Sequence, residues 1–302
     1  MAIYAWTAER QGARIRFPRN NQAPVDSTAV LIPEIFDHVV RGVSDLPALS
    51  GSNYNLTSGS WAFPTDLDLA GNVIRVPAGV TVFLKGYGPN RVVTGTGANT
   101  LNVDGGTAYV ESLSLRNTVA QCLNLASSPL TRLLDCTLTS TSATNHTVSV
   151  TGNTSVLQVL SCTVTGGGGA NTAAIRILTA NDVCVINGSM HQSGGGSQLA
   201  VIVAGNITRG LRLANMFVDV NGLLSRTSGT VGSVHVIGNT AKVSGAGITW
   251  AAADMPTRGM LIVGNDFSTL TPFSGFTATS ARVNAKANSF TSGLLTETPI
   301  VP

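Results

Sequence analysis

The side chains that could carry out catalysis in this chain are few, and the best placed are two aspartates. Asp66 and Asp68 lie two residues apart in a strand-like segment, so their carboxylates would point to the same side. Polysaccharide hydrolysis uses two carboxylates about 5–10 Å apart, a distance that this pair could span. The other aspartates do not recur at a common spacing, and this pair lies near the start of the repeats described below. We therefore predict no catalytic residue and no enzyme activity, with polysaccharide cleavage as the alternative.

Metal and phosphate chemistry has no better support in the sequence. The chain has four histidines and none of them is spaced from another as metal ligands are. Neither a Gly-x-Ser-x-Gly elbow nor a phosphate-binding loop occurs. We predict no metal site and no cofactor.

Two of the four cysteines stand one repeat apart. Cys136 and Cys162 are separated by 26 residues and would stack in neighbouring turns of a repeat, within reach of a disulfide. The favoured alternative is a pair of buried thiols in a protein made in a reducing cytoplasm.

The composition restricts the fold class and the partners. Charged residues make up 11% of the 302 residues, against about 25% in a typical soluble domain, while Gly reaches 33 and apolar residues 43%. This argues against a coiled coil and against a charged disordered chain, and it favours a β-rich fold with many turns. The net charge of +3 does not indicate a nucleic-acid partner. We expect no membrane insertion, because no apolar run reaches about 18 residues, and no secretory signal peptide.

A short phrase recurs along the chain from about residue 110. It consists of two aliphatic residues, a small or polar residue, an anchor, any residue and an apolar residue, as in LLDCTL, VLSCTV, VIGNTA and IVGNDF. The anchors follow one another at 23 to 27 residues, about 25 on average. They are Leu113, Cys136, Cys162, Gly188, Asn215, Asn239, Asn265 and Asn288. A second series, of the type apolar-x-apolar, repeats with nearly the same period, as in LNL at Leu123 and IRI at Ile175.

A period of about 25 residues with at least two short strands is typical of a β-solenoid. Leucine-rich repeats have a similar period, but their dense leucine consensus and helical segments are missing. The sequence therefore predicts an all-β fold, a single-stranded right-handed parallel β-helix of about eight or more coils over residues 53–292.

Four of the anchors are asparagines, and their column predicts an asparagine ladder at one bend of the solenoid. Asparagine tolerates the left-handed conformation of a bend, and its amide can bond to the next coil. The alternative is a small polar residue that merely recurs at a turn. The predicted ladder consists of Asn215, Asn239, Asn265 and Asn288.

Two consecutive columns before the anchor are both aliphatic, although consecutive side chains of a strand point to opposite faces. One column contains Leu133, Val159, Val185, Val236 and Ile262. The next one, which we call the stripe, contains Leu134, Leu160, Ile186, Ile237 and Val263. One column must face outward, unless a bulge turns both inward. An outward stripe about 20 Å long would need a partner, so we predict that it mediates oligomerisation.

The two ends of the chain depart from the repeat. Residues 1–52 are predicted to form an N-terminal arm or cap, with one short helix between Ser27 and Ser44 that has Pro33 in its first turn, or else an ordered coil packed along the solenoid. Residues 293–302 are predicted to be a tail or cap. Four arginines of the arm are predicted to dock the protein onto a larger assembly: Arg10, Arg14, Arg16 and Arg19. Scattered arginines of the repeats, such as Arg176, Arg209 and Arg226, are predicted to lie on solvated faces.

The segment at residues 53–96 carries a family resemblance. It contains Leu67 and Leu69 in a "dLdL"-like strand, followed by an I-x-V-P-x-G-V-x-V stretch that runs from Ile74 to Val82. This segment, together with the repeats, resembles pectate-lyase-like parallel β-helix proteins and phage tailspike-type proteins. The resemblance supports the fold and says less about function, because this fold carries lyases, hydrolases and structural virion parts.

The expected function is that of a non-catalytic structural protein of a tailed bacteriophage virion, made in the host cytoplasm. A capsid decoration protein, a head fibre or a short spike would fit. The alternative is a tailspike-type protein that binds or cleaves host surface polysaccharide, and a bacterial adhesin is disfavoured by the missing export signal. The resemblance implies a homo-oligomer, a trimer, that contacts other virion proteins.

Overall fold

The chain folds as a right-handed parallel β-solenoid of about nine turns, which confirms the predicted fold class. The computed structural model describes residues 36–87, 91–167, 169, 172–192, 198–243, 245–250, 255–268, 273–274, 283–290 and 293–294. Each full coil contributes one strand to each of three parallel sheets, and each strand pairs with its equivalents in the coils before and after it. Every coil therefore supplies its backbone hydrogen bonds to its neighbours.

Sheet 1 contains Asn53–Asn55, Val73–Val76, Asn99–Asp104, Gln121–Ala126, Val148–Val150, the first halves of Ala173–Ile186 and Leu199–Ala214, Gly222–Ser228, Ile248–Trp250 and Phe273–Ser274. Leu49–Ser50 joins its first strand in antiparallel pairing. Sheet 2 contains His38–Val39, Gly59–Phe63, Thr81–Gly86, Thr107–Glu111, Leu130–Leu134, Thr154–Leu160, the second halves of Ala173–Ile186 and Leu199–Ala214, Val231–Ile237, Gly259–Val263 and Val283–Lys286. Sheet 3 contains Leu67–Asp68, Val92–Gly95, Ser114–Asn117, Thr137–Ser140, Thr163–Gly166, Ser189–Gln192, Phe217–Val220, Thr240–Val243, Asp266–Phe267 and Ser289–Phe290. Gly293–Leu294 closes sheet 3 in antiparallel pairing.

The core is the interior of the solenoid, and alternation along each strand builds it. Leu133 and Val185 of sheet 2 point inward and are 0% exposed, as are Leu123 and Ile175 of sheet 1. Side chains of one type stack from coil to coil, so one continuous apolar column runs inside each sheet. Aliphatic residues that recur at the period of the solenoid therefore form the core.

A left-handed residue turns the chain from sheet 2 into sheet 3 in successive coils. Its φ lies between 51° and 65°, a region that favours Gly, Asn and Asp. The residues at this corner are Ser112, Asp135, Ser161, Asn187, Asn215, Gly238, Gly264 and Ala287. The next residue in each coil points back into the interior, and this is the position of the anchor column.

The helix expected between Ser27 and Ser44 is wrong for the described residues 36–44. His38–Val39 is a strand that pairs in parallel with Gly59–Phe63, and only a 3-10 turn follows, at Val43–Asp45. Strand addition to the open edge of sheet 2 buries Val40 completely and outweighs the local helical pattern. Residues 27–35, the four arm arginines and residues 295–302 lie outside the described residues. In the described ranges, no helix is long and apolar enough to cross a membrane.

Candidate interaction surface

Three asparagines form a buried ladder at the corner between sheets 2 and 3. The Asn239 Nδ2 donates to Asn265 Oδ1 at 2.8 Å, and the Asn265 Nδ2 donates to Asn288 Oδ1 at 2.9 Å. Asn265 Oδ1 also accepts the backbone N–H of Asn239 at 2.9 Å, and Asn288 Oδ1 accepts that of Asn265 at 3.0 Å. The three side chains are at most 2% exposed. The ladder thus pairs buried backbone groups that a bend would otherwise leave without partners.

Asn215 lies outside this ladder, contrary to the sequence prediction. It occupies the left-handed corner position, with φ 53°, and its exposed side chain donates to Asn187 Oδ1 at 3.2 Å. Met216 takes the place in the ladder column, and its backbone N–H donates to Asn239 Oδ1 at 3.0 Å. The alignment of the repeats within the chain was one residue out of register in this coil. A shift of one residue moves a side chain to the opposite face of the strand.

The stripe lies on the outer surface of sheet 2. Leu134 pairs with Leu160, Leu160 with Ile186, and Ile237 with Val263 in successive coils. The stripe residues are half-buried, while the preceding column is at most 1% exposed and fills the core. The two columns thus point to opposite faces. The register shifts in Ala173–Ile186 and Leu199–Ala214 lie before these positions and do not turn both columns inward.

The structure adds a sixth aliphatic residue and two charged ends to the stripe. Ala214 stands between Ile186 and Ile237, a position that the alignment of the repeats missed, and it is only 3% exposed. The coil before the stripe places Glu111 in the column, where its Oε1 accepts from Lys85 Nζ at 2.7 Å. The coil after the stripe places the exposed Lys286 in it. An apolar patch bounded by an acid at one end and a base at the other results.

A second outward column of sheet 2 runs beside the stripe. It begins with Phe83 and Tyr109, whose rings stack at a centroid distance of 4.7 Å and an angle of 7°. Phe83 is 51% exposed, one of the most exposed large apolar side chains described. The remaining positions of this column are Arg132, Gln158, Cys184, Arg212, His235, Leu261 and Asn284.

The two aspartates considered as an acid pair each accept a backbone N–H, Asp66 from the next coil and Asp68 from its own turn. Asp66 Oδ1 accepts from Val92 N at 3.0 Å, and Asp68 Oδ1 accepts from Ala70 N at 2.9 Å. Asp104 is paired with Arg75, and Asp37 accepts from the backbone and hydroxyl of Ser60. Within the part of the chain that the structure describes, no three His, Cys, Asp or Glu side chains come together as a metal site would require.

Cys136 and Cys162 stack in the ladder column as free thiols. Cys136 N donates to Cys162 Sγ at 3.4 Å, and both residues are at most 2% exposed. The hydrogen bond with Cys162 and burial raise the pKa of the Cys136 thiol, so it stays protonated. Burial likewise raises the pKa of Cys122 to about 12. Cys122 and Cys136 therefore act as packing groups.

Arg226 is buried and His146 is half-buried, in places that the sequence did not indicate. Arg226 is 4% exposed, so its expected place on a solvated face is wrong; its guanidinium lies 5.4 Å from the ring centre of Trp250 and donates to Gly229 O. His146 Nδ1 accepts from Ala173 N at 2.9 Å. Burial, together with the nearby charge of Arg176, lowers the pKa of His146 to about 4. Arg226 thus bonds to the turn at Gly229, and His146 bonds to the backbone at the start of the strand in the next coil.

The geometry defines a parallel β-solenoid of a kind consistent with the pectate-lyase-like β-helix fold. Comparison with known proteins returned no matching family profile, no matching curated protein and no matching solved structure.

Proposed function

We propose that this chain is a non-catalytic structural protein of a tailed bacteriophage virion, used as a capsid decoration protein, a head fibre or a short spike. The observation that carries the non-catalytic part is the use of the carboxylates. Asp66, Asp68, Asp37 and Asp104 hold backbone groups or a cation, which leaves no free acid pair among them. A solenoid in which every coil bonds to the next is suited to a rigid mechanical role.

The N-terminal arm supplies the proposed attachment. Its four arginines would dock the solenoid onto acidic surfaces of a larger assembly, an attraction that salt weakens. We expect a variant lacking residues 1–20 to keep its β-rich circular dichroism and to lose incorporation into particles, with the largest difference from the wild type at low salt, where the charge attraction is strongest. Wild-type occupancy of the truncated protein would place the attachment elsewhere.

The second candidate function is binding or cleavage of host surface polysaccharide, and one observation favours it. The stacked rings of Phe83 and Tyr109 present an exposed apolar face of the kind that packs against sugar rings. Capsular and lipopolysaccharide material would be tested for binding and for release of reducing ends, with Phe83→Ala as the variant. Binding that Phe83→Ala abolishes would favour this function over the purely structural one.

We propose further that the chain self-associates through the stripe. The column runs from Leu134 to Val263 as five half-buried aliphatic residues, with the buried Ala214 between Ile186 and Ile237, and a contiguous apolar column of this size is often an interaction surface. Mass measurement in solution tests this. We expect an oligomer for the wild type and a folded monomer for Leu160→Lys, since a lysine in the middle of the stripe places an unpaired charge in the interface.

A further inference from the structure

The order of residues along the stripe gives it a direction. In successive coils the column consists of Lys85, Glu111, Leu134, Leu160, Ile186, Ala214, Ile237, Val263 and Lys286. Six aliphatic residues are therefore preceded by an acid and followed by a base. The midpoint of the six lies between Ile186 and Ala214.

Reversal of the column about this midpoint sets complementary residues opposite each other. Leu134 then faces Val263, Leu160 faces Ile237, and Ile186 faces Ala214. In the same register Glu111 faces Lys286, and the symmetry repeats this charge pair at the other end. The reversed register thus combines four contacts between half-buried aliphatic residues with two charge pairs, and it places Ile186 over the shallow position of Ala214, which is only 3% exposed.

We propose that two copies of this chain associate face to face and antiparallel through sheet 2, in this register. This proposal rests on the self-association proposed above and adds the relative orientation of the two copies. A parallel arrangement, including the trimer that the family resemblance implies, would set each residue at the height of its own copy. Lys286 would then lie beside a second Lys286, with no acid in its column closer than Glu111 at the far end of the stripe.

The neighbouring column tolerates the same register. A two-fold axis that crosses the solenoid at right angles keeps each column opposite itself and reverses only the order of the coils. Arg132 then faces Leu261, Gln158 faces His235, and Cys184 faces Arg212. No two like charges are opposed in this column.

The size of the surface sets the expected affinity. Six coils at about 4.8 Å make the stripe about 24 Å long, and its sheet is about 13 Å wide, which gives about 300 Å² per copy. Inclusion of the coils from Glu111 to Lys286, which face each other in this register, raises this to about 440 Å². Stable complexes bury about 800 Å² per partner, so we expect a dissociation constant in the micromolar range.

The first test exchanges the charges at the two ends. Sedimentation velocity between about 1 and 100 µM measures the dissociation constant for the wild type, for Glu111→Lys, for Lys286→Glu and for the double variant. Each single variant is expected to weaken association about three- to tenfold, since it alters both symmetric contacts. The double variant restores the opposite charges and is expected to return to within about threefold of the wild type. Melting temperatures control for the loss of the bond between Glu111 and Lys85.

The second test reads the direction itself by crosslinking. In a Cys184→Ser background, one sample carries Tyr109→Cys and the other carries Asn284→Cys, two positions that face each other only in the antiparallel register. A short bismaleimide should join one variant to the other in a mixture and should join neither to itself. The three buried cysteines, which are at most 2% exposed, do not compete for the reagent.

The outcomes are distinct for the two proposals. Crosslinks of each variant to itself, or a double variant no tighter than the single ones, would overturn the antiparallel arrangement and leave self-association standing. A wild-type monomer at 100 µM would overturn both. Neither outcome bears on the virion role, which the truncated arm tests separately.

Discussion

Replacement of Asn265 by leucine tests whether the ladder stabilises the solenoid. Asn265 Oδ1 accepts both Asn239 N and Asn239 Nδ2, while its own Nδ2 donates to Val236 O at 2.9 Å and to Asn288 Oδ1 at 2.9 Å. In Asn265→Leu the buried Asn239 N–H has no remaining acceptor, whereas Asn239 Nδ2 keeps Leu213 O and Asn288 Oδ1 keeps Asn265 N.

The magnitude follows from these bonds. An unsatisfied buried N–H costs about 1–3 kcal/mol, and each lost bond between groups that keep another partner costs up to about 1 kcal/mol. With one unsatisfied N–H and two such lost bonds, the expected loss for Asn265→Leu is about 1–5 kcal/mol in the free energy of unfolding. The matched control is Asn284→Leu, an exposed outward position in a neighbouring coil, where a change within about 0.5 kcal/mol is expected.

The assay is urea unfolding followed by circular dichroism and by fluorescence of the buried Trp61 and Trp250. The two signals must coincide for a single free energy to be defined, since long repeat arrays lose cooperativity. Hydrogen exchange of Asn239 N–H gives a local measure and should become faster in Asn265→Leu. Equal stabilities of the two variants, or unchanged protection of Asn239 N–H, would refute the structural role of the ladder.

Three further predictions concern single groups. The pKa of His146 is lowered from 6.5 to about 4, so between these pH values the unfolded chain binds a proton that the folded chain does not. The free energy of unfolding should therefore fall by on the order of 1 kcal/mol as the pH drops through this window, allowing for partial exposure. His146→Asn should remove that part of the pH dependence of the melting temperature. Cys184, the only half-exposed thiol of the four, should react first with a thiol reagent under native conditions, and simultaneous labelling of all four would contradict the buried thiol pair. Ser161→Gly should raise the free energy of unfolding by about 0.5–1 kcal/mol in the same urea assay, because Ser161 has φ 54°; a lower stability would contradict a strained corner.

The sequence by itself determined the fold and most of its columns. The repeat of about 25 residues and the apolar-x-apolar alternation predicted a parallel β-helix, and the structure has one of about nine turns. The same pattern separated the core column of Leu133 from the outward column of Leu134, because side chains of a strand alternate between faces. Residues one period apart are neighbours in any solenoid, so the alignment of the repeats predicts which residues pair between coils.

Only the tertiary structure decided the register of the individual coil. In the coil of Asn215, the corner between sheets 2 and 3 comes one residue later than the repeated phrase predicts. Asn215 therefore occupies the corner and not the ladder, and Ala214 occupies the stripe. A shift of one residue exchanges the two faces of a strand, and local residue types do not exclude it. The placement of His38–Val39 as an added strand and the burial of Arg226 beside Trp250 likewise depend on what the neighbouring coil presents. These contacts are not local in the sequence, and hydrogen bonding and burial across coils outweigh the local preferences of each segment.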